Sequence, residues 1–366
     1  MLPKSIKIVV DEVEVKMAIK NMKAKLSNVE IFYRFISKGN KEAVLFVHGN
    51  LCSSDVWINV FKHVPEEFDI IAPDLRSFGR SGRAPIDATR GLQDYSDDLI
   101  ELIGKFDYSA YYLIGHSMGG GIVLQMLLDK PEKFRGIILV DPVSPYGFGG
   151  TKDEYGTPCY DDYAGSGAGL VARYNPDFVK MLKMKYRGTD HPSAPANALK
   201  AYFAEDFNIS NELRERILDT FFMAEVGDEY YPGNYVESGN WPYVAPGDKG
   251  VLNAISPKYL DLSSIVEIKQ KPPILWIHGQ KDLVISNMSP LDPAVLGISG
   301  IIPDYPGQEV FPPQPMVNQI KTVLENYEDK GGNVQREFIE NAGHTPFIEK
   351  PERFNKLMIE FLESLK

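Results

Sequence analysis

Cysteine is scarce: two residues, Cys52 and Cys159, occur in 366. Two thiols build neither a disulfide framework nor a multi-thiolate metal site, so a reducing compartment is expected. Long apolar runs are also missing. No stretch approaches the roughly 18 consecutive apolar residues of a membrane span. The short run at 6–10 is cut off by Asp11, Glu12 and Glu14, too soon for the apolar centre of a secretory signal. The expectation is a cytoplasmic protein with no membrane association. Positive charge is in deficit: Lys+Arg 39 against Asp+Glu 50 gives a net charge of -11, which repels nucleic acid over most of the surface. No metal-ligand spacing, phosphate loop or dinucleotide fingerprint is present, so no metal and no cofactor are expected.

What is there is ordinary globular material, 43% hydrophobic and 24% charged. The length suits one large core with a smaller inserted or appended unit. Short runs rich in β-branched and aromatic residues recur at 43–47, 68–72, 111–114, 136–140 and 274–277. They are apolar on both faces, as in a parallel sheet covered by helices. Between them, Leu92, Tyr95, Leu99, Leu102, Ile103 and Phe106 repeat at helical spacing, and 122–128 supplies another helix stopped near Pro131. Strand alternating with helix predicts an α/β fold. After Asp141 the pattern lapses, with no strong strand until Ile274, and a structureless loop of that length is implausible. Residues 146–270 are therefore expected to form an inserted, mainly helical unit, flanked by core segments 1–145 and 271–366. A second insertion, 289–315, carries seven prolines that oppose ordinary helix or central strand. The last strand is predicted at 334–339, followed by a helix through Phe354, Leu357, Met358, Phe361 and Leu362.

The strongest chemical signal is Gly115-His116-Ser117-Met118-Gly119, a G-x-S-x-G pattern between an apolar strand and an apolar helix. A serine at such a tip takes a strained backbone, and small residues two positions away let strand and helix pass closely. A serine hydroxyl is a weak nucleophile and requires a base, for which histidine suits because its pKa lies near neutrality.

At these residues the chain resembles the α/β-hydrolase superfamily, over about 28–146 and 272–366. Val47-His48-Gly49-Asn50 resembles the family's oxyanion loop. Pro73-Asp74-Leu75-Arg76-Ser77-Phe78-Gly79-Arg80-Ser81-Gly82 is similar to its strand-end loop, with Ser77 where glycine is usual. Gly343-His344, followed by Pro346, resembles the catalytic-histidine loop. The resemblance implies a mostly parallel central sheet flanked by helices, an inserted cap at 146–270, and a triad of Ser117, Asp282 and His344. Asp141 is a rival for the acid, since some members place it after the strand that follows the nucleophile helix. The implied oxyanion donors are the N–H groups of Asn50 and Met118, with Leu51 a near alternative. His48, His116 and His278 are expected to brace loops or end strands, His63 and His191 to lie at the surface, and Cys52 to pack.

Serine at the elbow argues against the attacking-carboxylate chemistry of epoxide hydrolases and haloalkane dehalogenases. The expected activity is hydrolysis of a carboxylic ester through an acyl-enzyme on Ser117. A lactonase, a carbon–carbon bond hydrolase with the same triad, or a non-catalytic ligand-binding relative are the alternatives. The aromatics of 146–270, among them Tyr155, Tyr160, Phe203, Phe207, Phe221, Phe222, Tyr231 and Trp241, suit an apolar or aromatic small-molecule ester or lactone, although most must build the unit's own core. Lys180, Lys183, Lys185 and Arg187 form a basic cluster that reads first as a solvated helix face. The 289–315 insertion leaves a homo-oligomer contact open.

Overall fold

The computed structural model describes residues 19–366; the apolar run at 6–10 lies outside the described residues. Its frame is an eight-stranded sheet. In chain order the strands are β1 (Lys20–Lys25), β2 (Glu30–Ile36), β3 (Glu42–Val47), β4 (Asp69–Pro73), β5 (Ala110–His116), β6 (Phe134–Val140), β7 (Ile274–Gly279) and β8 (Val334–Ile339). They lie in the order β1-β2-β4-β3-β5-β6-β7-β8. β1 pairs antiparallel with β2, and β2 with β4, while the other neighbours run parallel. The order reverses at β3, so β4 and β5 leave it on opposite sides. In open parallel sheets a ligand crevice opens beyond the carboxyl ends at such a switch point.

The two faces of the sheet bury alternate residues of one strand. Ala43, Leu45, Val47, Leu113, Ile137 and Trp276 face one side, against α1 (Gln93–Ile103), α2 (Met118–Asp129) and α3 (Met316–Asp329). Val44, Phe46, Ile114, Val140 and Ile277 face the other, against Trp57, Phe61 and α4 (Pro351–Ser364). Both faces are dry, which is why these strands read as unbroken apolar runs. Among the described residues no helix is long and apolar enough to cross a membrane.

Between β6 and β7 the chain forms helices at Gly169–Tyr174, Pro176–Lys183 and Asn211–Phe221, with two small ladders, Val226–Gly227 with Tyr231–Pro232 and Tyr235–Glu237 with Val244–Pro246. Ile217, Leu218 and Phe221 do not form a separate core; they join the cluster that contains α2 and β5. In the proline-rich stretch the expectation of no helix needs correction. Pro293–Ile298 is helical, because Pro293 occupies the first turn, where its missing N–H costs nothing.

The end of β7 lies against the loop after β8. A side chain on Gly279 would place its Cβ 1.9 Å from the Gly343 carbonyl oxygen and 2.6 Å from that of Ala342. Gly279→Ala is expected to lose roughly 1–3 kcal/mol of stability, the usual cost of overpacking a filled interior. Urea denaturation checks this, and an unchanged midpoint would contradict so close a crossing.

Candidate active site

β5 ends at His116 and α2 begins at Met118, leaving Ser117 to make the whole turn at φ 55, ψ -122. For a residue with a Cβ this conformation costs on the order of 1–3 kcal/mol and must be held from outside. It is held on both sides: the Ser117 N–H donates to Val140 O at 2.9 Å, and Ser117 O accepts from Gly120 N at 2.9 Å and Val143 N at 3.0 Å. Strand and helix pass so closely that a Cβ on Gly115 would sit 2.4 Å from Gly119 O. The Ser117 hydroxyl has no hydrogen-bond partner among the described residues and keeps 9% of its residue surface accessible.

Asp282 follows β7 and His344 follows β8, neighbouring parallel strands, so their loops emerge side by side. His344 Nδ1 lies 2.8 Å from Asp282 Oδ2. The other carboxylate oxygen, Oδ1, accepts from the N–H groups of Val284 at 2.7 Å and Ile285 at 3.1 Å. Burial opposes ionisation of Asp282, but the His344 imidazole and these contacts outweigh it, and its carboxyl is held below the ordinary aspartate value. His116 Nε2 donates to His344 O at 2.8 Å, tying the residue before Ser117 to the His344 loop. Burial drives the basicity of His116 well below the ordinary histidine value, and the neighbouring His344 acts in the same direction.

A sequence-family profile described as the α/β hydrolase fold matches residues 42–296. The chain belongs to the α/β-hydrolase fold family. A monoacylglycerol lipase of Xenopus laevis is 22% identical over 331 residues, 90% of this chain and 77% of that protein. An uncharacterised protein of Mycobacterium bovis is 30% identical over 102 residues, where the chain spans only 29% of the relative's length. Among solved structures, a carboxylesterase from Bacillus subtilis superposes with a TM-score of 0.58 over 95% of this chain and 92% of its own, at 14% identity, a likeness of fold.

Other parts of this α/β-hydrolase chain explain how the loops keep their shape. The loop after β3 backs onto Ser117, since a Cβ on Gly49 would lie 2.9 Å from Ser117 Cβ. Among the described residues the N–H groups of Asn50, Leu51 and Met118 donate to no backbone or side-chain acceptor. Met118 opens α2, where N–H groups are left over and the helix end is positive. His48 braces this loop: its Nδ1 pairs with Gly49 O at 2.8 Å and its Nε2 accepts from Leu75 N at 2.9 Å. Ser77 stands at φ 63, so the departure from glycine falls on a left-handed position. Its hydroxyl offsets the strain by donating to Ala84 O at 2.8 Å and accepting from Ala84 N at 3.1 Å.

Asp141 directly follows β6 and is fully enclosed, but it makes no hydrogen bond to His344; its Oδ1 accepts from Gly279 N at 2.8 Å. Asp141, His278 and Asp282 each offer one potential ligand atom within 4.8 Å of the others. Both Asp282 oxygens already accept hydrogen bonds, and His278 Nε2 already donates to Ile285 O at 3.1 Å. Asp141 Oδ2 and His278 Nδ1, in contrast, have no hydrogen-bond partner among the described residues. His63 and His191 lie outside this group, and His191 comes 3.8 Å from Asp177.

Two residues at the site carry no sequence motif. The ring of Tyr202 stands edge-on to His344 at 5.5 Å. Glu349 is buried, with Oε1 accepting from Gly343 N at 2.9 Å and Oε2 from Ala204 N at 2.8 Å. Glu349→Ala would leave buried N–H groups unpaired on both sides, at about 1–3 kcal/mol apiece. A lowered thermal midpoint, with the His344 imidazole resonance shifted in NMR spectra, is the expected result. Burial also pushes the Cys52 thiol up to about 12 and Cys159 up to about 12. At pH 8 the thiolate is then on the order of one part in 10⁴. Ellman's reagent should find no fast-reacting thiol in native protein and two after unfolding.

Proposed function

We propose that the chain is a serine hydrolase that cleaves carboxylic esters. The observation that carries this reading is the buried His344–Asp282 pair at 2.8 Å, joined through His116 to a strained serine whose hydroxyl is unpartnered. His344 Nε2 takes the Ser117 proton as Oγ attacks the ester carbonyl, while Asp282 fixes the ring with its proton on Nδ1 and stabilises the imidazolium. The oxyanion that forms is met by the N–H groups of Met118 and Asn50, with Leu51 the nearby alternative; each such donor is worth up to about 3 to 4 kcal/mol of barrier. The imidazolium then protonates the leaving alcohol, and the same imidazole activates water to release the acid from Ser117.

Residues 146–270 are read as the cap over this site. What supports this reading is that Thr220 Oγ1 approaches Leu51 O at 3.2 Å and that the Tyr202 ring stands against His344. Tyr202 packs on Phe221 and Phe203 on Phe207, and aromatic rings this near His344 favour an uncharged ester with an apolar or aromatic acyl group.

A panel of chromogenic esters of graded acyl length, run beside lactones, tests the reading. Ser117→Ala should lower kcat by at least about 10³-fold with the fold intact by circular dichroism. Wild-type rates in that variant would remove Ser117 as the nucleophile. A wild-type protein inert on every ester and lactone would turn the assignment toward a carbon–carbon hydrolase or a ligand-binding protein.

A further inference from the structure

The proposed mechanism leaves one buried carboxyl without a task. Asp141 is fully enclosed, sits at φ 42, and has one oxygen occupied by the Gly279 N–H. Its second oxygen, Oδ2, has no hydrogen-bond donor among the described residues. Yet a carboxylate oxygen of Asp282 lies within 4.8 Å of a carboxylate oxygen of Asp141. Two ionised carboxylates held this close in a dry interior repel, and one of them keeps its proton. A proton on Oδ2 removes both anomalies, because the orphaned acceptor becomes a donor and the like charges disappear.

We propose that Asp141 is a positioning residue: a neutral carboxylic acid whose Oδ2–H donates to Asp282 and, with the Val284 and Ile285 N–H groups, holds that carboxylate against His344. The proposal rests on the reading of Asp282 as the partner of His344. The surroundings support it. Burial pushes the Asp141 carboxyl well above the ordinary aspartate range and the Asp282 charge acts in the same direction, whereas Asp282 itself is held low. The pair thus shares one proton, carried on the Asp141 side. His278 of β7 also faces Asp141, with Nδ1 3.4 Å from Oδ1. Its Nε2–H is given to Ile285 O, and burial lowers its basicity, so Nδ1 presents a lone pair and supplies no cation. Glu349 adds negative charge nearby and favours the neutral acid further. The sign follows: a carboxyl whose pKa is raised on folding contributes stability in its protonated form, and that contribution is lost as pH rises through the raised value. Ionised Asp141 would withdraw a donor from Asp282 and set a like charge beside it, so hydrolysis should decline on the alkaline side.

Asparagine reproduces the proposed state, with an N–H donor toward Asp282 and a carbonyl toward Gly279. Asp141→Ala should lower kcat at least tenfold with KM little changed, and Asp141→Asn should restore it to within about threefold while abolishing the alkaline decline. Asp282→Asn should lose far more. Equal damage from Asp141→Asn and Asp282→Asn would overturn the proposal and make Asp141 an ionised acid. A second readout needs no substrate. At pH 8, where Asp292, pushed up by burial to about 6, is ionised, infrared difference spectra of wild type minus Asp141→Asn should contain a carboxylic C=O stretch that shifts in D₂O. Its absence in folded protein would overturn the neutral-acid assignment. Its presence in a protein that hydrolyses no ester would leave the neutral acid standing and count against the proposed function alone.

Discussion

The contact between His344 and Asp282 exists because β7 and β8 run parallel in adjacent places, ending together so that two loops leave the sheet at one edge of the crevice. Everything else at the site is arranged around keeping an ionised carboxylate in an interior that disfavours it. A buried carboxylate is tolerable only where donors replace the water it gave up. Here those donors are two backbone N–H groups and an imidazole, all presented by short loops, and each loop is tied to a second element. The close crossing of Gly279 and Gly343 then ceases to be a packing detail. It sets the separation of the two loops, and with it the hydrogen bond.

The same economy governs the serine. Its backbone strain is borne by β6 through Val140 and Val143, and β6 also delivers Asp141 to the floor beneath Asp282. One strand therefore supports the turn at Ser117 and the setting of Asp282. The loop after β3 completes the group by backing onto Ser117 with unpaired N–H groups. The switch in strand order at β3 is what brings that loop and the serine turn to the same end of the sheet.

Much of this was legible in the sequence. The parallel strands announce themselves as apolar runs, and 334–339 falls on β8 residue for residue. β1 did not, because Lys20–Lys25 is nearly all exposed and carries no alternation to read. α2 begins at Met118, two residues ahead of the helix start that Gly120-Gly121 suggests, since glycine has poor helix propensity and the close passage of strand and helix decides the boundary there. The short ladders at 226–246 and the helix behind Pro293 were missed for similar reasons: local propensity is weak and tertiary contact decides. Ser117, His344 and Asp282 could be singled out because their motifs are local. Glu349 and Tyr202 could not. Each matters through a contact with a residue more than a hundred positions away, and no spacing records it.

Glu349 grips the His344 loop with one oxygen and residue 204 with the other. Segment 146–270 and the loop that carries the His344 imidazole are thus two ends of one tether. One side chain sets the spacing between two stretches of chain that are remote in sequence, and a substitution in either stretch is felt by the other through it.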